Sequence, residues 1–167
     1  MAKTIYDEVA QIHFVPSIAD PDAPELVEIE AGVDLSCYLR PGGDWSPMEG
    51  STADAAVLCS RFNSTVSGTY GGQPFVAVFT NDDEFGGDVA WNALPRGTSG
   101  FFVTSFYPGS GADGALDDGD VVNVWPVEVT TRKRSAYARN EVMTFEVQCA
   151  ATSEPSEDVA IGGFVSS

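Results

Sequence analysis

His13 is the only imidazole among 167 residues, so any histidine-dependent acid–base or nucleophilic chemistry must pass through it. It sits inside the apolar, strand-like run Ile12-His13-Phe14-Val15, and no Gly-x-Ser-x-Gly turn occurs anywhere to present a nucleophile. A histidine serving the fold or the surface is the better reading. Cys37, Cys59 and Cys149 are odd in number and too widely spaced for a zinc pattern, which favours buried, reduced thiols. Asp113, Asp117, Asp118 and Asp120 resemble a calcium loop only loosely, because the glycine and terminal glutamate of such a loop are misplaced. A solvated acidic loop fits them better. The glycines between Pro108 and Gly119 form no phosphate-binding pattern, and the surrounding acid would repel phosphate. No catalytic residue, cofactor or metal ligand is therefore expected, and no enzyme class emerges.

Charge is the stronger signal. With 25 acidic and 8 basic side chains the net charge is −17, which opposes tight wrapping around a nucleic acid but allows loose, non-sticking contact. Four of those basic residues, Arg132, Lys133, Arg134 and Arg139, fall within Arg132 to Asn140. The flanking segments alternate with period two, the mark of half-buried strands. Val121, Trp125, Val127, Val129 and Thr131 share one face of the first, with Asn123 the polar exception; Met143, Phe145, Val147, Cys149 and Ala151 share one face of the second. The basic stretch reads as the turn between them. It is expected to meet an acidic surface on a neighbouring subunit, with Asp82-Asp83-Glu84 or Asp117-Asp118 as candidates, against the alternative of a solvated charged turn.

Elsewhere, Pro16 ends the strand at Ile12 to Val15. A short helix is expected from an Asp22 cap to Ala31, with Glu25 at the capping-box position, Pro24 in the first turn and Gly32 as the stop. Leu26, Ile29 and Val33 would face the core, and Leu35 to Leu39 would resume an extended run. Arg40 to Asp54 carries turn chemistry throughout and reads as a long loop. Trp45 and Met48 are out of place there unless they pack on their own core or insert into a neighbouring subunit. Ala55 to Cys59, a strand over Phe62 to Val66 and a turn over Gly68 to Gly72 lead to Gln73 to Thr80, apolar enough for a strand covered on both sides. A helix over Asp88 to Leu94, closed by Pro95, and a strand over Phe101 to Tyr107 follow. The chain is long enough for one core, so residues 1–167 are read as one domain. The class is mainly β (α+β), an antiparallel β-sandwich or barrel-like domain with a short flanking helix.

Met1-Ala2-Lys3-Thr4 lacks the apolar core of a signal peptide, and no window approaches the ~18 apolar residues that suggest a membrane span. Cytosolic synthesis without membrane insertion is expected.

Several segments together resemble the major tail tube protein of long, noncontractile-tailed bacteriophages, particularly those of actinobacteria. These are Ile12-His13-Phe14-Val15-Pro16, Ile18-Ala19-Asp20-Pro21-Asp22-Ala23-Pro24, Glu28 to Leu35, Leu94 to Phe101, Val124-Trp125-Pro126-Val127, Phe145 to Cys149 and Thr152-Ser153-Glu154-Pro155. They span most of the chain in order, and the departures cluster in Arg40–Asp54 and Pro108–Gly119. The resemblance implies a sandwich of antiparallel sheets that closes side by side into hexameric rings. It further implies stacking around a tape measure protein between tail initiator and terminator proteins, forming a virion tail tube, assembled in the host cytoplasm, that passes DNA. A negative lumen suits that passage, since phosphates slide along it without sticking. The alternatives are a tail-terminator or head–tail joining protein, a related secretion-system tube protein, and, more remotely, a small acidic hydrolase or carbohydrate-binding domain.

Overall fold

The computed structural model describes residues 10–40, 48–54, 65–72, 75–81, 88–135 and 139–163. In chain order the elements are β1 (Gln11–Val15), α1 (Leu26–Glu30), β2 (Val33–Asp34), β3 (Met48–Asp54), β4 (Thr65–Gly72), β5 (Phe75–Thr80), α2 (Val89–Ala93), β6 (Ser99–Ser105), β7 (Val121–Arg134), β8 (Thr144–Ala151) and β9 (Ser156–Ala160). One antiparallel sheet takes the order β2-β1-β6-β7-β8-β5, with β9 also paired to β7, and β3 and β4 form a separate two-stranded sheet. This mostly β architecture agrees with the expected class and is consistent with a β-sandwich.

β7 organises the sheet. β6 lies along one edge, while the other edge is shared by β8, opposite Val127 to Arg134, and β9, opposite Val121 to Val124. Pro126 falls at the junction. Within an extended residue the N and C=O point to the same edge, and the Pro126 carbonyl accepts a bond from Thr152 N at 3.0 Å between β8 and β9. Its donorless nitrogen therefore faces the interrupted edge and costs the β6 ladder nothing.

A bulge sets the faces of β7. Val129 pairs with Cys149 and Thr131 with Gln148, so Thr130 is the extra residue. Before it the odd positions Trp125, Val127 and Val129 enter the main core; after it the even positions Arg132 and Arg134 stand opposite Val147 and Phe145 on that same face. Thr131 is consequently exposed, contrary to the simple alternation, and so are Met143 and Ala151. The strand also runs on through Arg134, where a turn was expected.

The sheet curls on itself. Phe75 of β5 and Phe102 of β6 stack at 4.7 Å although β7 and β8 lie between their strands in the order. Residues 33–40 span the gap: Leu35 N bonds Ile12 O on the β1 side, while Arg40 N bonds Val78 O and Thr80 N bonds Tyr38 O on the β5 side. Leu35 to Leu39 is thus a turn ending in a single bridge from Leu39 to Phe79, not the extended run expected. Phe14, Phe79, Phe102, Phe145 and Trp125 fill the interior, and α2 packs there through Ala90. A second cluster on the opposite face joins Val122 and Val124 to Val15, Ile29, Leu116 and Ile161 beneath α1. The first half of β7 is therefore buried on both faces.

Local chemistry explains the other shifts in boundary. α1 begins at Leu26, because the residue before a proline is driven out of the helical region, and Glu25 becomes the cap, its N–H bonding the Glu28 carboxylate at 3.1 Å. Asp22 instead accepts from Ser156 Oγ at 2.6 Å. Gly32 follows the helix because a Cβ there would stand 2.5 Å from the Phe14 carbonyl oxygen; close approach to β1, not a left-handed turn, demands glycine. Met48 to Asp54, assigned to a loop, pairs with Thr65 to Gly72, part of which was assigned to a turn. Glycines there read as turn chemistry, yet a pleated ladder tolerates them. Residues 55–64 lie outside the described residues, and β9 was not foreseen.

Candidate assembly surface

At the C-terminal end of β7 the bulge turns Arg132 and Arg134 toward α2. Their guanidinium carbons stand 3.6 and 4.0 Å from the centre of the Trp91 ring, and that ring meets Phe145 edge-on at 5.1 Å. Arg132 also donates to the Trp91 carbonyl oxygen. Burial and the neighbouring Arg134 charge push the Arg132 pKa down, while Asp88 acts in the opposite sense. The two arginines and the indole thus cover one end of the main core, their stems supplying apolar contact and their heads lying on the π face.

The Asp88 carboxylate, 2% exposed, anchors α2 by accepting from Trp91 N at 3.4 Å and from Asn81 Nδ2 at 3.0 Å. Asn81 N in turn bonds Met143 O at 2.9 Å, so the chain leaves and re-enters at this same end around residues 82–87. Lys133 points to the other face of β7, 66% exposed and 3.8 Å from Glu146. Arg139 is exposed in the turn beyond, and Val142 and Met143 beside it are 59% and 66% exposed. The four basic residues are therefore brought to one end, but two of them are already engaged within the subunit. Met48 opens β3, whereas Trp45, Asp82, Asp83 and Glu84 lie outside the described residues.

The opposite end of β7 is different. Asp117 and Asp118 are exposed there, and the Asp120 carboxylate accepts from the backbone N–H groups of Ser110 and Asp117, both at 2.9 Å. Burial would raise the Asp120 pKa, but these bonds outweigh it and hold the carboxyl below its usual range. Tyr107 stands 59% exposed at the start of this loop. Glu157 and Asp158 of β9 add to the acid, and α1 is tied alongside through Gly162 N to Pro24 O. Every described cation lies elsewhere. Arg40 bonds Val78, level with Lys133, and Arg96 Nε bonds Thr130 O at 3.1 Å, which puts both in the half of the sheet that holds Arg132 to Arg139.

Among the described residues no three His, Cys, Asp or Glu side chains gather as a metal site, and no helix is long and apolar enough to cross a membrane. His13 Nε2 lies 3.1 Å from Gln11 Oε1, and Gln11 Nε2 bonds Gly114 O at 2.7 Å. Burial lowers the His13 pKa, with Asp34 across the ladder pulling the other way. Burial also pushes the Cys149 thiol up to about 12, as expected for an inert core cysteine, whereas Cys37 is exposed because it falls in the turn after β2. Cys59 lies outside the described residues.

An antiparallel sheet wrapped around its own core, with two short helices, defines a β-rich sandwich-class protein. The family model for phage tail tube proteins matches residues 1–163, and the chain belongs to that family. It is a structural family of the virion tail, not an enzyme family, and membership implies homo-oligomeric assembly in a tail. No curated protein matches the chain.

Proposed function

We propose that the chain closes side by side into hexameric rings that stack around a tape measure protein, between initiator and terminator proteins, into the tube that conducts DNA. On this reading it assembles in the cytoplasm of an actinobacterial host. The observation that carries it is the family match over nearly the whole chain, together with strand edges left open in the subunit. Among the described residues no third strand pairs with the β3–β4 hairpin, and the outer edge of β5 is met by no strand, only by the short bridge of residues 38–40 at Val78 to Thr80. Two strands alone are marginal in water, and open edges invite another chain. A neighbouring subunit supplies what both lack. Trp45 and Met48, just before and at the start of β3, are the residues to anchor that hairpin on the neighbour. The strong negative charge suits a lumen that phosphates pass without sticking.

Electron microscopy of concentrated protein, alone and co-expressed with tape measure and initiator, is the test. Rings or open-ended tubes are expected. A chain that stays monomeric at high concentration and also fails to enter tails would refute the proposal.

A further inference from the structure

β7 gives the subunit a long axis with unlike ends. Its 14 residues extend about 45 Å at roughly 3.3 Å each, from the Asp117–Asp120 loop to the Arg132–Arg139 region. One end presents Tyr107 beside Asp117 and Asp118 with no described cation near it. The other presents Val142 and Met143 beside Lys133 and Arg139. Each end is an exposed apolar group with a charged rim, as protein interfaces commonly are; among the described residues the first rim is wholly acidic, while in the second Arg132, Lys133, Arg134 and Arg139 outnumber Glu141 and Glu146. We propose that copies stack head to tail through these ends, with Lys133, Arg139 and the Val142-Met143 tip of one subunit meeting Tyr107, Asp117 and Asp118 of the next. This rests on the reading of the chain as a tube subunit.

Moving a copy along the axis brings unlike ends together, so the basic end of one subunit faces the Asp117–Asp118 end of the next. Two Asp117–Asp118 ends facing each other would set uncompensated carboxylates together, which disfavours inverted stacking. A contact between two different patches also leaves both ends of a stack open, so growth continues.

Arg132 and Arg134 are held on Trp91, so the test spares them. One variant carries Lys133→Glu and Arg139→Glu, the other Asp117→Lys and Asp118→Lys, each checked for an unchanged melting profile. Each alone is expected to form rings but to need on the order of tenfold more protein, or greater, before rings stack, as seen by sedimentation and electron microscopy. Mixing the two preformed rings is expected to restore stacks, because one has two acidic ends and the other two basic ends. Normal stacking by either variant alone, failure of the mixture, or rescue of the first variant by reversing Asp82, Asp83 and Glu84 instead would overturn the contact while leaving the tube reading intact. Absence of rings from the unmodified chain would strike the tube reading itself, and the contact with it.

Discussion

Replacing Arg132, Lys133 and Arg134 one at a time with alanine separates a clamp from a surface charge. Arg132 is half-buried, lies 3.6 Å from the Trp91 ring centre and donates to the Trp91 carbonyl. A partly desolvated cation–π contact contributes about 1–2 kcal/mol and a charged hydrogen bond about 1.5–3, with overlap between them, so its loss should cost about 2–3 kcal/mol. Arg134 has the ring contact at 4.0 Å in an exposed position, worth about 0.5–1 kcal/mol. Lys133 has only a 3.8 Å pair with Glu146 at a largely exposed site, worth about 0–1 kcal/mol before screening by salt and close to nothing after it. The expected order of destabilisation is Arg132, then Arg134, then Lys133. At roughly 2–4 °C per kcal/mol for a chain of this size, Arg132→Ala should melt about 4–12 °C early while Lys133→Ala barely moves. Thermal and urea unfolding of dilute, unassembled protein measures this directly. A Lys133→Ala variant less stable than Arg132→Ala, or three equal melting points, would show that the arginines do not cover the core. The same reasoning warns that reversing all three charges together would confound lost folding with lost assembly.

His13 should give the only histidine signature in the pH profile. Its folded pKa is lowered, so below the unfolded value of about 6.5 the unfolded chain binds more protons. The stability difference between wild type and His13→Gln should then be flat above about pH 6.5 and change as pH falls toward the folded pKa, with the wild type losing ground; parallel profiles across that range would contradict it. Thr104 is fully buried on β6 and its hydroxyl oxygen has no partner among the described residues, so Thr104→Val should raise stability by about 1 kcal/mol, and a lower melting temperature would count against that. Trp45→Ala should shorten tubes or lower their yield while leaving the monomer melt nearly unchanged, as for an aromatic anchor at an interface. An equal loss of monomer stability would assign Trp45 to its own core.

Period-two alternation was enough to find β7 and β8, and short apolar runs marked β1, β5 and β6, because each buries at least one face. α2 was legible from the Asp88 cap and Pro95. What escaped has physical causes. The Thr130 bulge depends on how two strands pair, so nothing within β7 alone announces it; Thr131 was therefore placed on the buried face, and Arg132 and Arg134 were read as part of a turn. Glycines in β4 carry turn propensity that the ladder with β3 overrides. β9, with Ser156, Glu157 and Asp158 at its start, has little hydrophobic pattern, and it exists because β7 offers an edge beyond the end of β8. The four basic residues are near one another in sequence and so fall at one end; the indole that holds two of them was not legible, since Trp91 is distant in sequence and reaches them only through the fold.

The bulge matters for function because it decides which cations remain available. Were Thr130 paired regularly with Gln148, the odd position Lys133 would turn toward Trp91 and Phe145, and Arg132 and Arg134 would face solvent. A lysine ammonium is more strongly hydrated than a guanidinium and lacks its flat stacking surface, so it would cover the indole less well. With the bulge, two planar cations cap the apolar end of the core, and Lys133 is left outward beside Glu146. The subunit thereby keeps its fold closed with arginine and leaves Lys133 and Arg139 exposed. In a chain of charge −17 outward cations are scarce, and among the described residues they gather in one half of the sheet, which gives the subunit an electrostatic direction. Deleting Thr130 would remove the extra residue yet leave Thr131, Arg132, Lys133 and Arg134 opposite Gln148, Val147, Glu146 and Phe145, so the three basic side chains should keep their faces and assembly seen by electron microscopy should survive.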